Sequence, residues 1–229
     1  MLSRIPFPVD LNSLMSEAAL SASQVRTMLD LVADRIIAAE PELSQADRDL
    51  GDGDHGLGMA RGMTAAKEAL ASAPDDAGVP DLFKAHGAAM MASMGGASGV
   101  VFGSLFRGTA KAIKDAETYG AAELAAGLTE AIAAIQKRGG AKAGDKTMLD
   151  ALIPAAEAAA AAADAGLSIS EALDAAAAAA ESGREASKDF IATMGRAKTL
   201  GEKSIGFPDA GACSVAIILR TMAEFAASA

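Results

Sequence analysis

The sequence is poor in aromatic residues and in cysteine, and both shortages limit what it can form. Only 3% of its 229 residues are aromatic, none is Trp, and one is Cys. Strands prefer aromatic and β-branched side chains, whereas the abundant alanine prefers helices, so closely packed helices are favoured over a β-sandwich. The single Cys213 excludes an intrachain disulfide framework and suits a reducing compartment.

Positive charge is also scarce. Thirty acidic and 20 basic residues give a formal net charge of −10. Such a chain as a whole repels nucleic acid and anionic membranes, so neither is expected as a partner. The first ten residues contain two prolines and an aspartate instead of an unbroken apolar stretch, which argues against a signal peptide. No segment combines spanning length with bulky apolar residues, so we expect a cytoplasmic protein.

Helical periodicity recurs along most of the chain. Apolar residues between Val25 and Ile36 share one helix face, and Pro41 is interpreted as following the end of that helix. Short connections favour antiparallel neighbours, so we predict an all-α, antiparallel eight-helix up-and-down barrel or bundle. Pro154 is expected to bend its helix or to mark the first turn. The seven further helices are predicted at 56–72, 80–94, 98–116, 120–138, 146–164, 169–193 and 211–227.

Polar residues and glycines gather at four places, 47–58, 95–99, 139–147 and 195–211. These places lie near the junctions of predicted helices 1 and 2, 3 and 4, 5 and 6, and 7 and 8. Alternate loops of an antiparallel bundle emerge at the same end. We therefore expect the four clusters to meet at one end of the bundle, called the rim below, and to form a single site.

The first cluster crowds Asp47, Asp49, Asp52 and Asp54 around two glycines. Carboxylates about 4 Å apart repel by a few kcal/mol at a protein surface, so a compensating cation is expected. Hard oxygen ligands suit Mg²⁺ or Ca²⁺ better than Zn²⁺. An EF-hand is excluded because the twelfth position from Asp47 is Gly58 instead of Glu. Mg²⁺ shared with phosphates fits best, and the alternative is a solvated acidic turn that caps a helix.

Two stretches imitate known nucleotide-binding motifs. Gly51–Gly56 matches G-x-G-x-x-G, but the residues before it do not form a strand, so a dinucleotide fold is rejected. Gly139–Thr147 nearly spells a P-loop, but Asp145 interrupts the required Gly-Lys pair and no strand precedes it. We expect Asp145 to cap a helix, with Lys142 or Lys146 placing positive charge near phosphates.

The two remaining clusters have a phosphate-binding and a structural interpretation each. Met94–Gly99 precedes a helix whose first N–H groups attract phosphate, but a glycine-rich turn with Ser98 as N-cap explains the same residues. Residues 195–206 place three cations before the last helix, where Arg196 is expected to pair with phosphate unless the segment is a charged surface loop. His86 has no ligand partner at helical spacing and is predicted to be structural.

In combination and in this order, the clusters resemble the nucleotide-binding L subunit of dihydroxyacetone kinases, the DAK2 or DhaL family. The resemblance runs from about Ser23 to about Ala227, so we predict a DhaL-like nucleotide-binding domain over residues 23–229 and an N-terminal extension over residues 1–22. The motifs that carry it are Gly51–Gly56, Gly95–Gly103, Gly144–Met148 and Gly195–Gly206.

The resemblance implies an eight-helix barrel with ADP or ATP at one rim. It implies that Asp47, Asp52 and Asp54 hold two Mg²⁺ ions that bridge the phosphates and carry the catalytic function. Asp49 stands where relatives often carry Glu and is left out of this set. Gly58 and Ala210 depart from the Asn and Pro that are common in relatives. The residues implied to surround the nucleotide are His55, Gly56, Leu57, Gly58, Ala97, Ser98, Gly139, Met148, Arg196, Asp209, Ala210 and Gly211.

The resemblance further implies a phosphotransferase subunit that needs a partner. A K-type subunit would hold dihydroxyacetone on its own histidine, while this chain supplies the phosphoryl group. Some relatives retain ADP, which a phosphohistidine protein of the phosphotransferase system recharges, and others exchange ATP. The sequence leaves open which applies, whether the acceptor is a related ketose such as erythrulose, and whether the chain forms a homodimer. A regulatory subunit that contacts a transcription factor and a helical scaffold without a ligand are the competing interpretations.

Overall fold

A computed structural model describes residues 18–229, and helices dominate this part of the chain. The predicted all-α class is therefore confirmed. Two short 3₁₀ segments, Ser187–Asp189 and Arg196–Ser204, separate the last two helices. The other elements are β1 (Ala19–Leu20), α1 (Ala22–Ala38), α2 (Glu40–Arg48), α3 (His55–Ser72), α4 (Val79–Met94), α5 (Gly96–Ala112), β2 (Tyr119–Gly120), α6 (Ala121–Gly139), α7 (Leu149–Asp164), α8 (Ile169–Ala186) and α9 (Ala210–Ala226).

The count of eight helices is wrong by one within residues 18–229, because α2 is a short helix of its own. Pro41 was interpreted as following a helix end, and α1 does end at Ala38, but Pro41 lies in the first turn of α2. A proline is tolerated there because the first N–H groups of a helix have no acceptor within the helix. The helix predicted over 169–193 is also shorter, since the chain passes from α8 into a 3₁₀ turn at Ser187.

The long helices pack against their neighbours in sequence, and α9 also packs against α1. The interface of α7 and α8 is built largely from buried alanines. Gly183 of α8 lies so close to α7 that an added Cβ would overlap the carbonyl oxygen of Asp150. Small side chains thus allow the backbones to approach closely. Pro154 lies inside α7, beyond its first turn, and the closed barrel stays a prediction.

The end of the bundle opposite the rim is closed by the two short strands. Leu20 pairs with Tyr119 in antiparallel register, both residues are buried, and the Tyr119 ring lies 5.0 Å from that of Phe83. Residues 1–17 of the predicted extension lie outside the described residues, and its boundary at residue 22 stays a prediction. None of the helices in residues 18–229 has both the length and the apolar character that crossing a membrane requires.

Candidate functional site

The four polar clusters meet in one cavity of about 610 Å³ at the rim. The cavity forms there because α1, α4, α6 and α8 run toward this end and the following helices start from it. The alternation of antiparallel helices had predicted this arrangement. The lining residues come from the segments 47–61, 94–102, 146–148, 194–197 and 209–211.

Three aspartates on one wall of the cavity form a compact group. Asp47, Asp52 and Asp54 each offer a carboxylate oxygen, and these atoms all lie within 4.8 Å of one another. Asp54 is the residue before α3, yet its side chain makes no capping hydrogen bond. Asp49 lies apart from the group, and its carboxylate accepts a hydrogen bond of 3.0 Å from the Gln45 amide. This set of hard oxygen donors fits Mg²⁺.

The chain brings these aspartates together through the end of α2 and a glycine turn. Asp47 lies in the last turn of α2, and its Oδ2 accepts a hydrogen bond of 3.2 Å from the backbone N–H of His55 at the start of α3. Gly53 adopts a φ of +77°, a left-handed conformation that favours glycine. The turn therefore places Asp52 and Asp54 beside Asp47.

Arg196 is the cation closest to this acidic group in the described structure. Its guanidinium contacts the carboxylate of Asp52 and lies 3.5 Å from that of Asp54. The residue begins a 3₁₀ segment directly after Gly195, whose φ is +62°. Arg196 was predicted to pair with a phosphate. In the structure its positive charge lies against the carboxylates, and its contact with phosphate stays a prediction.

Two helix N-termini face the cavity. Leu57 and Gly58 lie in the first turn of α3, and Ala97 and Ser98 lie in the first turn of α5. The first N–H groups of a helix have no intrahelical acceptor and carry a partial positive charge, so both ends can bind an anion. The interpretation of Ser98 as an N-cap is wrong, because α5 already begins at Gly96 and its cap position is Gly95.

His55 and Gly56 start α3 but serve mainly its packing. The His55 ring is buried, and its Nε2 lies 2.8 Å from the Ser214 hydroxyl of α9. Burial lowers the pKa of His55 and so favours the neutral ring, although nearby Asp47 opposes the shift. Gly56 does not line the cavity, since an added Cβ would overlap backbone and side-chain atoms of Ser44 in α2.

The opposite wall is formed by Met148 and the start of α9. Met148 is buried before α7, and an added Cβ on Gly211 would lie 3.1 Å from the Met148 Cβ. Asp209 caps α9 by accepting a hydrogen bond of 2.8 Å from the N–H of Ala212. Burial raises the pKa of Asp209 to about 7. Ala210 lines the cavity, whereas Gly139, at the end of α6, does not.

The role of Lys146 differs from the one predicted from the sequence. It is the only residue other than glycine with a positive φ in residues 18–229, at 60°. Its buried ammonium donates hydrogen bonds of 2.5 Å to the Ser187 carbonyl and 2.6 Å to the Phe207 carbonyl. Lys146 was expected near phosphates, but its ammonium group is held by hydrogen bonds to these two carbonyls. It ties together both ends of the segment that carries Arg196.

Two buried carboxylates hold the loop around Lys146. Asp145 was expected to cap a helix. It instead accepts hydrogen bonds from the backbone N–H of Lys142 at 2.8 Å and from the Thr193 hydroxyl at 2.6 Å. Asp150 accepts from the N–H groups of Gly144 at 2.6 Å and Thr147 at 2.7 Å. The prediction for Asp145 is wrong because α7 begins only at Leu149.

Arg61 also lines the cavity without having been predicted. Its guanidinium donates to the carbonyls of Ser93 at 2.9 Å and Met94 at 2.6 Å, so it holds the end of α4 against α3. Its spacing of one helical turn from Gly58 was the available signal. His86 is buried in α4 against the Phe106 ring, at 4.3 Å between centroids, and burial lowers its pKa to about 3. The prediction that His86 is structural is confirmed.

The fold and the site together define a helical protein with a combined site at its rim. The rim carries a group of three carboxylates suited to a divalent cation and, in the same cavity, two helix N-termini suited to an anion. The family model of the DAK2 domain matches residues 49–224, so the chain belongs to the DAK2 domain family. The family named by the sequence resemblance is thus confirmed.

Among curated relatives, the D-erythrulose kinase of Mycolicibacterium smegmatis is 40% identical over 89% of this chain, which spans 35% of that protein. The ADP-binding subunit DhaL of the PEP-dependent dihydroxyacetone kinase of Escherichia coli is 35% identical over 90% of this chain, which spans 97% of that subunit. The crystal structure of the dihydroxyacetone kinase from C. freundii in complex with AMP-PNP and Mg²⁺ matches with a TM-score of 0.67 at 25% identity, over 98% of this chain and 37% of that one. The chain therefore corresponds to about a third of the longer kinases.

Proposed function

We propose that this chain is the subunit of a ketose kinase that binds an adenine nucleotide with Mg²⁺ and donates its phosphoryl group. The observation that carries the proposal is the group of Asp47, Asp52 and Asp54 in the same cavity as the N-termini of α3 and α5. An acidic group alone repels phosphate, and helix ends alone bind any anion. Their combination favours phosphates that arrive with divalent cations.

The three carboxylates would hold the ions, and two Mg²⁺ fit the number of donors when phosphate oxygens complete their coordination. Bound there, Mg²⁺ supplies charge neutralisation for the transferred phosphoryl group. Asp54 has no capping hydrogen bond to give up for this role. Asp47 would keep its hydrogen bond to the His55 N–H on one oxygen and offer the other.

The remaining lining would position the nucleotide. N–H groups at Leu57, Ala97 and Ser98 would donate to phosphate oxygens, and Arg196 would contact both the carboxylates and a phosphate. The N–H of Gly58 already donates to the Asp54 carbonyl at 2.9 Å, so Gly58 would instead let the nucleotide approach the start of α3 closely. Phosphoryl transfer depends mainly on such positioning and electrostatic stabilisation. On the other wall, Met148 and the residues Asp209 to Gly211 would contact the base and ribose. Gly56 would act through packing, and Gly139 is given no contact because it does not line the cavity.

The acceptor is proposed to lie on a second chain. The E. coli relative, which this chain spans almost completely, is named as the ADP-binding subunit of a PEP-dependent dihydroxyacetone kinase. This supports a K-type partner that holds dihydroxyacetone and a phosphohistidine protein that recharges bound ADP. Erythrulose is the second acceptor candidate, because the M. smegmatis relative is named a D-erythrulose kinase.

The metal hypothesis is tested by the substitution Asp52→Asn. We expect Mg²⁺-dependent ADP binding, measured by calorimetry, to weaken by about tenfold or more, because a lost charged ligand costs more than roughly 1.4 kcal/mol. Asp49→Asn is the matched control, since Asp49 belongs to the same loop but not to the acidic group. Unchanged affinity in Asp52→Asn would disprove the metal role of that residue.

The mode of nucleotide use is tested on the native protein. Mass spectrometry that finds co-purifying ADP would indicate a retained cofactor, and an empty chain that turns over with added ATP would indicate exchange. Turnover assays with and without a K-type partner distinguish the enzyme from its competitor. ADP binding without turnover in the presence of the partner would favour a regulatory subunit.

A further inference from the structure

A second large cavity lies outside the rim, as a groove of about 830 Å³ between α4, α5 and α6. Its walls carry six basic side chains and two acidic ones, Asp81 and Glu130, which leaves a net charge of four positive. These six make up a large part of the 20 Lys and Arg residues in a chain of net charge −10. The basic side chains are Lys84, Arg107, Lys111, Lys114, Lys137 and Arg138.

Most of this positive charge is not neutralised within the described structure. Lys111 forms an ion pair of 2.5 Å with Glu130, and Lys114 lies 3.7 Å from Asp115. Lys84, Lys137 and Arg138 are exposed and form no ion pair with the described residues. The groove is therefore a surface where positive charge is concentrated and available to a second molecule.

The helix dipole explains the position of only some of the basic side chains in the groove. Lys137 and Arg138 lie in the last turn of α6, where the helix dipole favours cations. Lys84 is in the first half of α4, where a cation gains nothing from the dipole, and Arg107 is more than one turn before the end of α5. Their placement on the same groove as the helix-end cations needs another cause.

The floor of the groove is apolar and formed by small residues. Gly108 of α5 packs on α6 so closely that an added Cβ would lie 2.8 Å from the Cα of Ala131. Ala133 and Ala134 extend this floor along α6. Long basic side chains above a floor of small residues suit an element of a partner protein, such as a helix, whose acidic side chains reach the walls. A nucleic acid is a worse match, because the chain as a whole repels an extended polyanion.

One end of the groove lies beside the nucleotide site. Met91, in its wall, is one helical turn before Met94, which lines the rim cavity. Arg138 precedes Gly139 at the rim end of α6. A protein that covers the rim can therefore extend into the groove without a break in contact.

We propose that this groove is a docking surface for an acidic element of the chain that presents the acceptor. This inference rests on the proposed function, because it requires such a partner. The rim cavity would supply the reacting groups, and the groove would supply orientation and rate of encounter. Charge complementarity acts mainly on these two properties.

The test replaces Lys84, Lys137 and Arg138 together by Gln, in the full chain. The matched control replaces Arg35, Lys67 and Lys188 by Gln, which changes the net charge equally at ion-paired sites away from the groove. Kinase turnover is measured against the concentration of the K-type chain from the same organism. We expect the groove variant to raise the KM for that chain by roughly tenfold while kcat and ADP affinity stay unchanged. Added salt should raise the KM of the unsubstituted protein more than that of the groove variant.

Equal KM changes in the groove variant and the control would overturn the proposal, because bulk charge would then explain both. An unchanged KM in the groove variant would overturn it as well. Binding of the K-type chain is followed in the same samples by sedimentation. Binding that depends on the groove but gives no turnover would contradict the proposed function alone, and absent binding by the unsubstituted protein would overturn the docking surface.

Discussion

Asp209 combines two roles at the start of α9, since it caps the helix and lines the rim cavity. Its carboxyl group is partly buried, near Asp150 and Lys146, and this burial raises its pKa to about 7 against the ordinary 3.8. The fold therefore retains a proton on Asp209 that the unfolded chain loses near pH 4. This contribution to stability is complete below the unfolded pKa and is lost as the pH rises through about 7.

We expect the substitution Asp209→Asn to remove this pH dependence. An amide oxygen can still accept the hydrogen bond from Ala212, but it does not titrate. In urea titrations between pH 5 and 7, the free energy of unfolding of the native sequence should fall relative to Asp209→Asn, by roughly 1.4 kcal/mol per pH unit at most. The substitution Asp81→Asn, at an exposed aspartate, controls for the loss of one carboxylate. If the free energy of unfolding changed with pH in the same way in the native protein and in Asp209→Asn, the fold would not retain a proton on Asp209.

Single residues differ in how far the sequence reveals them. The acidic cluster was visible because the mutual repulsion of Asp47, Asp49, Asp52 and Asp54 is a local feature of eight residues. The family resemblance, and not the repulsion, left Asp49 out of the ligand set. Lys146 was misassigned because its hydrogen bonds reach carbonyls 41 and 61 residues away, which leave no local pattern. Asp150 was missed for a related reason, since it looks like an ordinary first-turn acid of α7 although its carboxylate binds two N–H groups of the preceding loop.

At the scale of elements, apolar periodicity predicted the long helices well and their ends less well. The periodic signal comes from the buried face, which runs through the middle of each helix. Ends depend on capping and on backbone turns, so α5 begins earlier than predicted, at Gly96, and α8 ends earlier, at Ala186. α2 was missed because its hydrophobic face is short and Pro41 resembles a stop.

The contact of α7 with α8 gives the prediction at this scale. Gly183→Ala should lower the free energy of unfolding by about 2 kcal/mol, because the new Cβ would overlap backbone atoms of Asp150 and lie 2.9 Å from the Cα of Ala151. Gly58→Ala is the matched comparison, since Gly58 is also helical but has no atom within 4 Å of an added Cβ. It should stabilise the fold by up to about 1 kcal/mol. Urea unfolding of both variants measures the difference, and a neutral Gly183→Ala would show that the two helices can move apart.

At the scale of the whole molecule, alternation of helices was enough to predict that four separate clusters meet at one rim. The groove between α4, α5 and α6 was not predictable in the same way. Its cations are far apart in sequence, and their convergence depends on the rotation of each helix about its axis and on the close approach at Gly108. Neither quantity can be read from the composition of a single segment.

The strand pair at the far end carries the prediction at this scale. Leu20 is fully buried and paired with Tyr119, so Leu20→Ala should lower the free energy of unfolding by about 3 kcal/mol. Leu167→Ala, at a leucine that is 40% exposed, should cost much less. Thermal and urea unfolding provide the comparison. Equal losses of unfolding free energy in Leu20→Ala and Leu167→Ala would mean that the segment before α1 adds little to the stability of the domain.

The same strand pair marks the end of the bundle from which a linker to another domain can leave. Ala19 pairs with Gly120 at the far end, and α9 runs from the rim and also ends there, at Ala226. A domain fused after α9 therefore begins about one bundle length away from the rim. The 17 residues of α9 correspond to about 25 Å. A linker would need on the order of eight extended residues before a fused domain could face the nucleotide site of its own chain, and with a shorter linker that domain would serve the rim of another copy instead.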